Sequence, residues 1–127
     1  MPSLLHAHHP VRHVKSFRYA FEGLFHALIN EPNFRIQLVI TLFATLLGIH
    51  FKISHTEWGL LILSLGSLVA AEMVNTVVEE LIDTLIKEYH SGAKIIKDLA
   101  AGFVLTTSLT SLAILILIFG GRIVGLF

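Results

Sequence analysis

Glu72, Asn75, Glu79 and Asp83 interrupt an otherwise apolar run at spacings of three and four residues. At about 100° per residue this spacing puts all of them within roughly 80° of one helical face, while Glu80 points elsewhere. A carboxylate inside a membrane-spanning helix costs roughly 3 kcal/mol unless it is paired, hydrated or metal-bound. Several carboxylates on one stripe also repel, so a positive group is expected opposite them. Two readings follow. In one, the helix leaves the membrane near Glu72 and the acids form a solvated face at the interface. In the other, the stripe is a metal and proton-transfer site, and hard oxygen ligands suit magnesium rather than zinc. The twelve residues 60–71 carry no charge. They are too few to span a bilayer, so Glu72 is expected within the membrane or at its boundary.

Other residues offer matching chemistry. Glu31 follows a helical stretch and precedes an apolar run, as a second acid for the same site or as a simple helix-end charge. Glu88-Tyr89-His90-Ser91-Gly92-Ala93-Lys94 and then Lys97-Asp98 place cations beside the acids. Lys94 and Asp98, four apart, form either a surface pair or part of a phosphate site. Gly92 lets a nucleotide approach the backbone. No P-loop, kinase glycine-rich loop or HExxH pattern is present. The absence of cysteine excludes disulfides, zinc knuckles, iron–sulfur clusters and thiol catalysis. The His-rich segment His6-Ala7-His8-His9-Pro10 reads as a disordered end, with metal binding as the lesser alternative.

The elements that position these groups follow from composition. The chain has 127 residues, 54% hydrophobic and 14% charged, with a mean hydropathy of +0.78. A soluble domain carries roughly 25% charged residues, so a membrane protein is expected. The length allows one domain and leaves no room for a Rossmann unit. Apolar runs at 34–51, from Trp58 onward, and at 97–120 predict three spans. Arg12, Lys15, Arg18, Arg35, Lys87, Lys94 and Lys97 precede the first span or lie near the second connection, whereas Lys52 and Arg122 fall on the other side. This bias predicts a cytoplasmic N-terminus and second connection and an external C-terminus. Val14, Phe17, Phe21, Leu24, Phe25 and Leu28 recur at helical spacing, with Lys15, Arg18, Glu22 and His26 largely off that stripe. They predict an amphipathic helix lying on the cytoplasmic surface, ended at Asn30-Glu31-Pro32-Asn33. No continuous apolar stretch of a secretory signal is seen in the first 30 residues.

The set Glu72-Met73-Val74-Asn75-Thr76-Val77-Val78-Glu79, Asp83, Glu88-Tyr89-His90 and Lys97-Asp98 resembles the signature of the prokaryotic diacylglycerol kinase family, which includes the undecaprenol kinases. Arg12, Lys15, Tyr19, Gly23, Ile29-Asn30-Glu31 and Phe34-Arg35 stand in the family's order and spacing, so the likeness runs over roughly residues 12–120. The resemblance implies an all-α membrane protein, a homotrimer of three-span subunits each with an N-terminal surface helix. It implies a single membrane-embedded domain at 12–122, flanked by a flexible N-terminus (1–11) and a short tail (123–127). It implies ATP-dependent phosphorylation of a lipid alcohol at the bacterial inner membrane, at sites shared between subunits. Carried over, Glu72 is the general base, and Glu31 and Glu79 hold magnesium. Asn75 positions the phosphates and Lys97 neutralises their charge. Asp98, Tyr19, Tyr89, His90, Arg12 and Lys15 line the nucleotide site. No nucleic-acid partner is implied. Gln37 departs from the pattern, standing where some members carry an acid. Ala93-Lys94 and Leu99-Ala100-Ala101-Gly102 resemble the undecaprenol-kinase branch, which sets undecaprenol ahead of diacylglycerol as the expected substrate.

A small cation or proton transport subunit is the alternative of another class, since intramembrane acids are common there. It predicts acids near mid-membrane and polar residues on several spans. Here the acids gather at one end of the second span. The third carries mainly Thr106, Thr107, Ser108, Thr110 and Ser111, hydroxyls able to satisfy themselves on their own backbone.

Overall fold

The structure, a computed structural model, describes the backbone of residues 10–125 and the side chains of residues 14–125. Residues 6–9 of the His-rich segment and the Arg12 side chain lie outside the described residues. Among the described residues the chain forms α1 (Pro10–Asn30), α2 (Pro32–His50), α3 (His55–Leu85) and α4 (Ser91–Ile123). Three of these, α2, α3 and α4, are long and apolar enough to cross a membrane. The helices overrun the apolar runs: α3 starts before Trp58, and α4 starts before Lys97.

α1 and α2 are separated by a single residue. Glu31 is extended at φ −104° and ψ 106°, because a residue before proline is pushed out of the helical region. Pro32 then opens α2, where its missing N–H costs nothing. Arg35 secures the bend. Its Nη1 donates to the carbonyls of Ile29 at 2.6 Å and Leu28 at 3.2 Å, which the break would leave without partners. A cation at that helix end also suits the local dipole.

The turn from α2 to α3 is a Schellman motif. Ile53 N–H donates to Gly48 O and Lys52 N–H to Ile49 O, both at 3.2 Å, with Lys52 at φ 50° in the left-handed position that glycine usually takes. Ile53 and the Trp58 ring then close over Gly48, so tightly that a Cβ there would stand 2.8 Å from the indole. Ser54 starts α3 with a capping box: its hydroxyl accepts from Glu57 N–H, and Glu57 accepts from Ser54 N–H at 2.7 Å. Glu57 also binds Arg122 of α4 through two contacts, at 2.8 and 3.1 Å. The buried cluster of Ala44, Ile53, Leu61, Leu65, Ile118 and Phe119 fills this turn end of the bundle.

α4 lies mainly along α3, with α2 on a shorter contact. Thr106, Thr107, Ser108 and Thr110 each donate to a carbonyl three or four residues back on α4, as their types predict in an apolar span. At 1.5 Å per residue, α3 is about 46 Å long, some 16 Å more than a hydrocarbon core. Glu72 lies about 26 Å along it. Glu79 and Asp83 follow at its far, acidic end, where α2 begins and α4 begins.

Candidate active site

Glu72 is one of the two largest fully buried side chains, at 2% exposure against 1% for Leu61. Its position one turn on from buried Leu68 on the same face, and the neighbouring Ala71 at 0%, explain this: the small alanine lets the helices close around it. The solvated-face reading therefore fails for Glu72. It holds for Asp83, whose side chain is 65% exposed.

The group opposite Glu72 is an amide rather than the expected cation. Gln37 Nε2 of α2 donates to Glu72 Oε2 at 3.0 Å. Gln37 is itself buried, and Asn33, one turn earlier, adds a second polar contact to the carboxylate. Glu31, at the α1–α2 bend, and Glu79, two turns further along α3, both lie near enough to Glu72 to interact electrostatically with it. The bend thus brings Glu31 to the stripe, as its place in the sequence predicts. Asn75 donates to Glu79 Oε1 at 3.2 Å. The carbonyl oxygens of both Gln37 and Asn75 are buried without a partner. Buried polar atoms rarely go unpaired in a folded protein, and these two are acceptors open to a further donor.

A cavity of about 400 Å³ runs from this polar layer along the bundle. Asn33, Gln37 and Glu72 head it, and Ile36, Ile40, Leu65, Leu68, Leu112 and Leu115 line its depth. Its serines are committed: Ser108 donates to Val104 O at 2.8 Å and Ser111 to Ser64 O at 3.2 Å.

The predicted site residues of the α3–α4 connection form a separate cluster. Asp83, Glu88, Tyr89, His90, Lys94, Lys97 and Asp98 line a second cavity of about 330 Å³. His90 caps α4 by accepting from Gly92 N–H at 3.1 Å. Both lysines are paired: Lys97 with Asp83 at 2.9 Å, and Lys94 with Asp98 at 2.5 Å. Lys15 and Tyr19 are exposed on α1 and line neither cavity. His26 of α1, not among the predicted site residues, approaches Glu80 of α3 at 3.9 Å. Gln37 and Asn33 were legible in part. Gln37 is the lone amide in the first apolar run, and an amide at membrane depth must find a partner.

For magnesium the donor set is suitable and incomplete. Glu31, Glu79 and the unpartnered Asn75 carbonyl are hard oxygens, while no cluster of three or more acidic or histidine side chains able to hold a metal forms among the described residues. Magnesium typically takes one or two carboxylates and completes its shell with water and substrate phosphates, so these residues fit it as partners of a nucleotide.

Comparison with known proteins identifies the family. The profile of the family described as prokaryotic diacylglycerol kinase matches residues 18–119. An undecaprenol kinase of Bacillus subtilis is 31% identical over 119 residues, covering 94% of this chain and 97% of its own. A diacylglycerol kinase of Helicobacter pylori is 36% identical over 87 residues, 68% of each chain. A diacylglycerol kinase of Escherichia coli K12 is 31% identical over 94 residues, 74% of this chain and 77% of its own. Kinases of this kind use ATP as co-substrate. The chain belongs to the prokaryotic diacylglycerol kinase family and is a multi-pass membrane lipid kinase.

Proposed function

We propose that the protein transfers the γ-phosphate of ATP directly to a membrane lipid alcohol, with undecaprenol as the preferred acceptor. The cavity headed by Glu72 carries this reading. Its buried carboxylate sits at one end of an apolar trench, where a lipid hydroxyl can meet a base while its chain stays among hydrocarbon. Glu72 takes the hydroxyl proton as the oxygen attacks phosphorus in line. Glu31 and Glu79 would hold magnesium, beside the unpartnered carbonyl oxygen of Asn75, whose amide N–H bonds Glu79. When bound, the metal neutralises triphosphate charge beside the acids. Lys97 exchanges Asp83 for phosphate oxygens, and Tyr89, His90 and Asp98 flank the nucleotide from the second cavity. By resemblance, Arg12, Lys15 and Tyr19 also serve the nucleotide.

The exposed stripe Val14, Phe17, Phe21 and Phe25 supports α1 as a helix lying in the cytoplasmic interface, over the site. There it restricts water, the competing acceptor. The protein sits in the bacterial inner membrane, N-terminus inside and C-terminus outside. It works as a homotrimer whose neighbouring subunits complete each site, which accords with the many large apolar residues exposed on a single chain.

The preference for a polyprenol over diacylglycerol rests on the resemblance of the α4 stretch and on the cavity's donors. Ser108 and Ser111 each spend their single hydrogen on a backbone carbonyl, so the ester carbonyls of diacylglycerol meet no free hydroxyl donor there. A plain hydrocarbon chain requires none. Labelled ATP with undecaprenol and diacylglycerol in parallel bilayer assays decides the matter. Undecaprenol is expected to show the higher kcat/KM, and the reverse order makes diacylglycerol the substrate.

A further inference from the structure

Gln37 is bound to the key carboxylate at one end of its amide and bound to nothing at the other. Its Nε2 donates to Glu72 Oε2 at 3.0 Å. Its Oε1 is buried without a partner, in a residue that lines the same cavity as Glu72. With Glu72 ionised, as a base must be, the amide cannot be turned over, because Oε1 would then face the carboxylate oxygen with no hydrogen between them. Both ends are therefore committed in direction: a donor to Glu72 and an acceptor left for something else.

We propose that Gln37 is the positioning residue of the phosphoryl acceptor: its N–H fixes the Glu72 carboxylate, and its carbonyl oxygen receives the incoming lipid hydroxyl. This rests on the kinase reading of the cavity. The hydroxyl carries one hydrogen, and the pair offers it two acceptors. It docks on Gln37 Oε1 and passes to Glu72, which alone of the two takes a proton. As the substrate oxygen bonds to the γ-phosphorus, the bond from phosphorus to the β–γ bridging oxygen breaks. The proton goes to Glu72 and the electron pair leaves on ADP. Holding Glu72 Oε2 also fixes the orientation of the carboxylate that takes the proton. A carboxylate at this position would repel Glu72 when both are ionised. The amide in this chain supplies a hydrogen bond without that repulsion.

A double-mutant cycle tests the assignment. Gln37→Leu is expected to lower kcat about tenfold or more and raise the KM for lipid, with the KM for ATP unchanged within about twofold. In a Glu72→Gln background the same change is expected to move the residual turnover less than about twofold, since Gln37 acts through Glu72. A role confined to packing would instead slow both backgrounds by the same factor, and that result overturns the proposal. So does a Gln37→Leu enzyme with wild-type kinetics. Gln37→Met, similar in length and apolar, serves for the same cycle if leucine prevents assembly. Failure of the unsubstituted protein to phosphorylate any lipid alcohol overturns the kinase reading and this assignment together. An active parent with an unaffected Gln37 variant overturns this assignment alone.

Discussion

Lys97 Nζ of α4 contacts both carboxylate oxygens of Asp83 of α3, at 2.9 and 3.1 Å. The contact bridges the α3–α4 connection and keeps a cation at the rim of the cavity proposed for the nucleotide. Asp83 is exposed, so the pair holds Lys97 loosely, since an exposed ion pair is worth little. A triphosphate is the stronger partner. Lys97→Met is expected to lower kcat/KM for ATP about 10- to 100-fold, the range of a lost charge-assisted hydrogen bond. Asp83→Asn, which leaves the lysine in place, is expected to stay within about threefold of wild type. Steady-state kinetics at varied ATP separates the two, and equal losses would make the pair itself the functional unit.

The two acids proposed as general base and metal ligand should fail differently. Glu72→Gln is expected to lower turnover about 100- to 10,000-fold, the usual span for losing a general base, with ATP affinity nearly unchanged. Near wild-type turnover would remove Glu72 from the base role.

Glu79→Ala is expected to weaken nucleotide binding roughly tenfold, about 1.4 kcal/mol, in magnesium and to change it little in a chelator. Titration calorimetry with and without the metal reads this directly. A loss that is the same in both conditions would assign Glu79 to the fold.

Gly48 is required by contact. A methyl group there would stand 2.8 Å from Trp58 and 3.1 Å from Ile53. Gly48→Ala is expected to cost about 1–3 kcal/mol by overpacking, read as a lower Tm in detergent. Trp58→Phe removes the ring edge involved, so the double variant should recover part of that loss.

Lys52 sits in the left-handed region at φ 50°, where a side chain costs about 1 kcal/mol. Lys52→Gly is therefore expected to raise the Tm, with kinase activity unchanged, because the turn lies at the opposite end of the bundle from Glu72.

The sequence alone determined what is local in the chain. Three spans follow from the lengths of apolar runs, and the common face of Glu72, Asn75 and Glu79 follows from helical periodicity. The break at Glu31 follows from the proline after it, and the self-satisfied hydroxyls of α4 follow from their residue types. Only the tertiary structure decided which side chains meet across helices. That Gln37 faces Glu72, that Arg122 reaches Glu57, and that Lys97 lies on Asp83 depends on how far each helix slides along its neighbour. That offset is set by a one-residue bend, a Schellman turn and the packing of Trp58 on Gly48, and a shift of one residue turns a helix by about 100° and would break every one of these pairs.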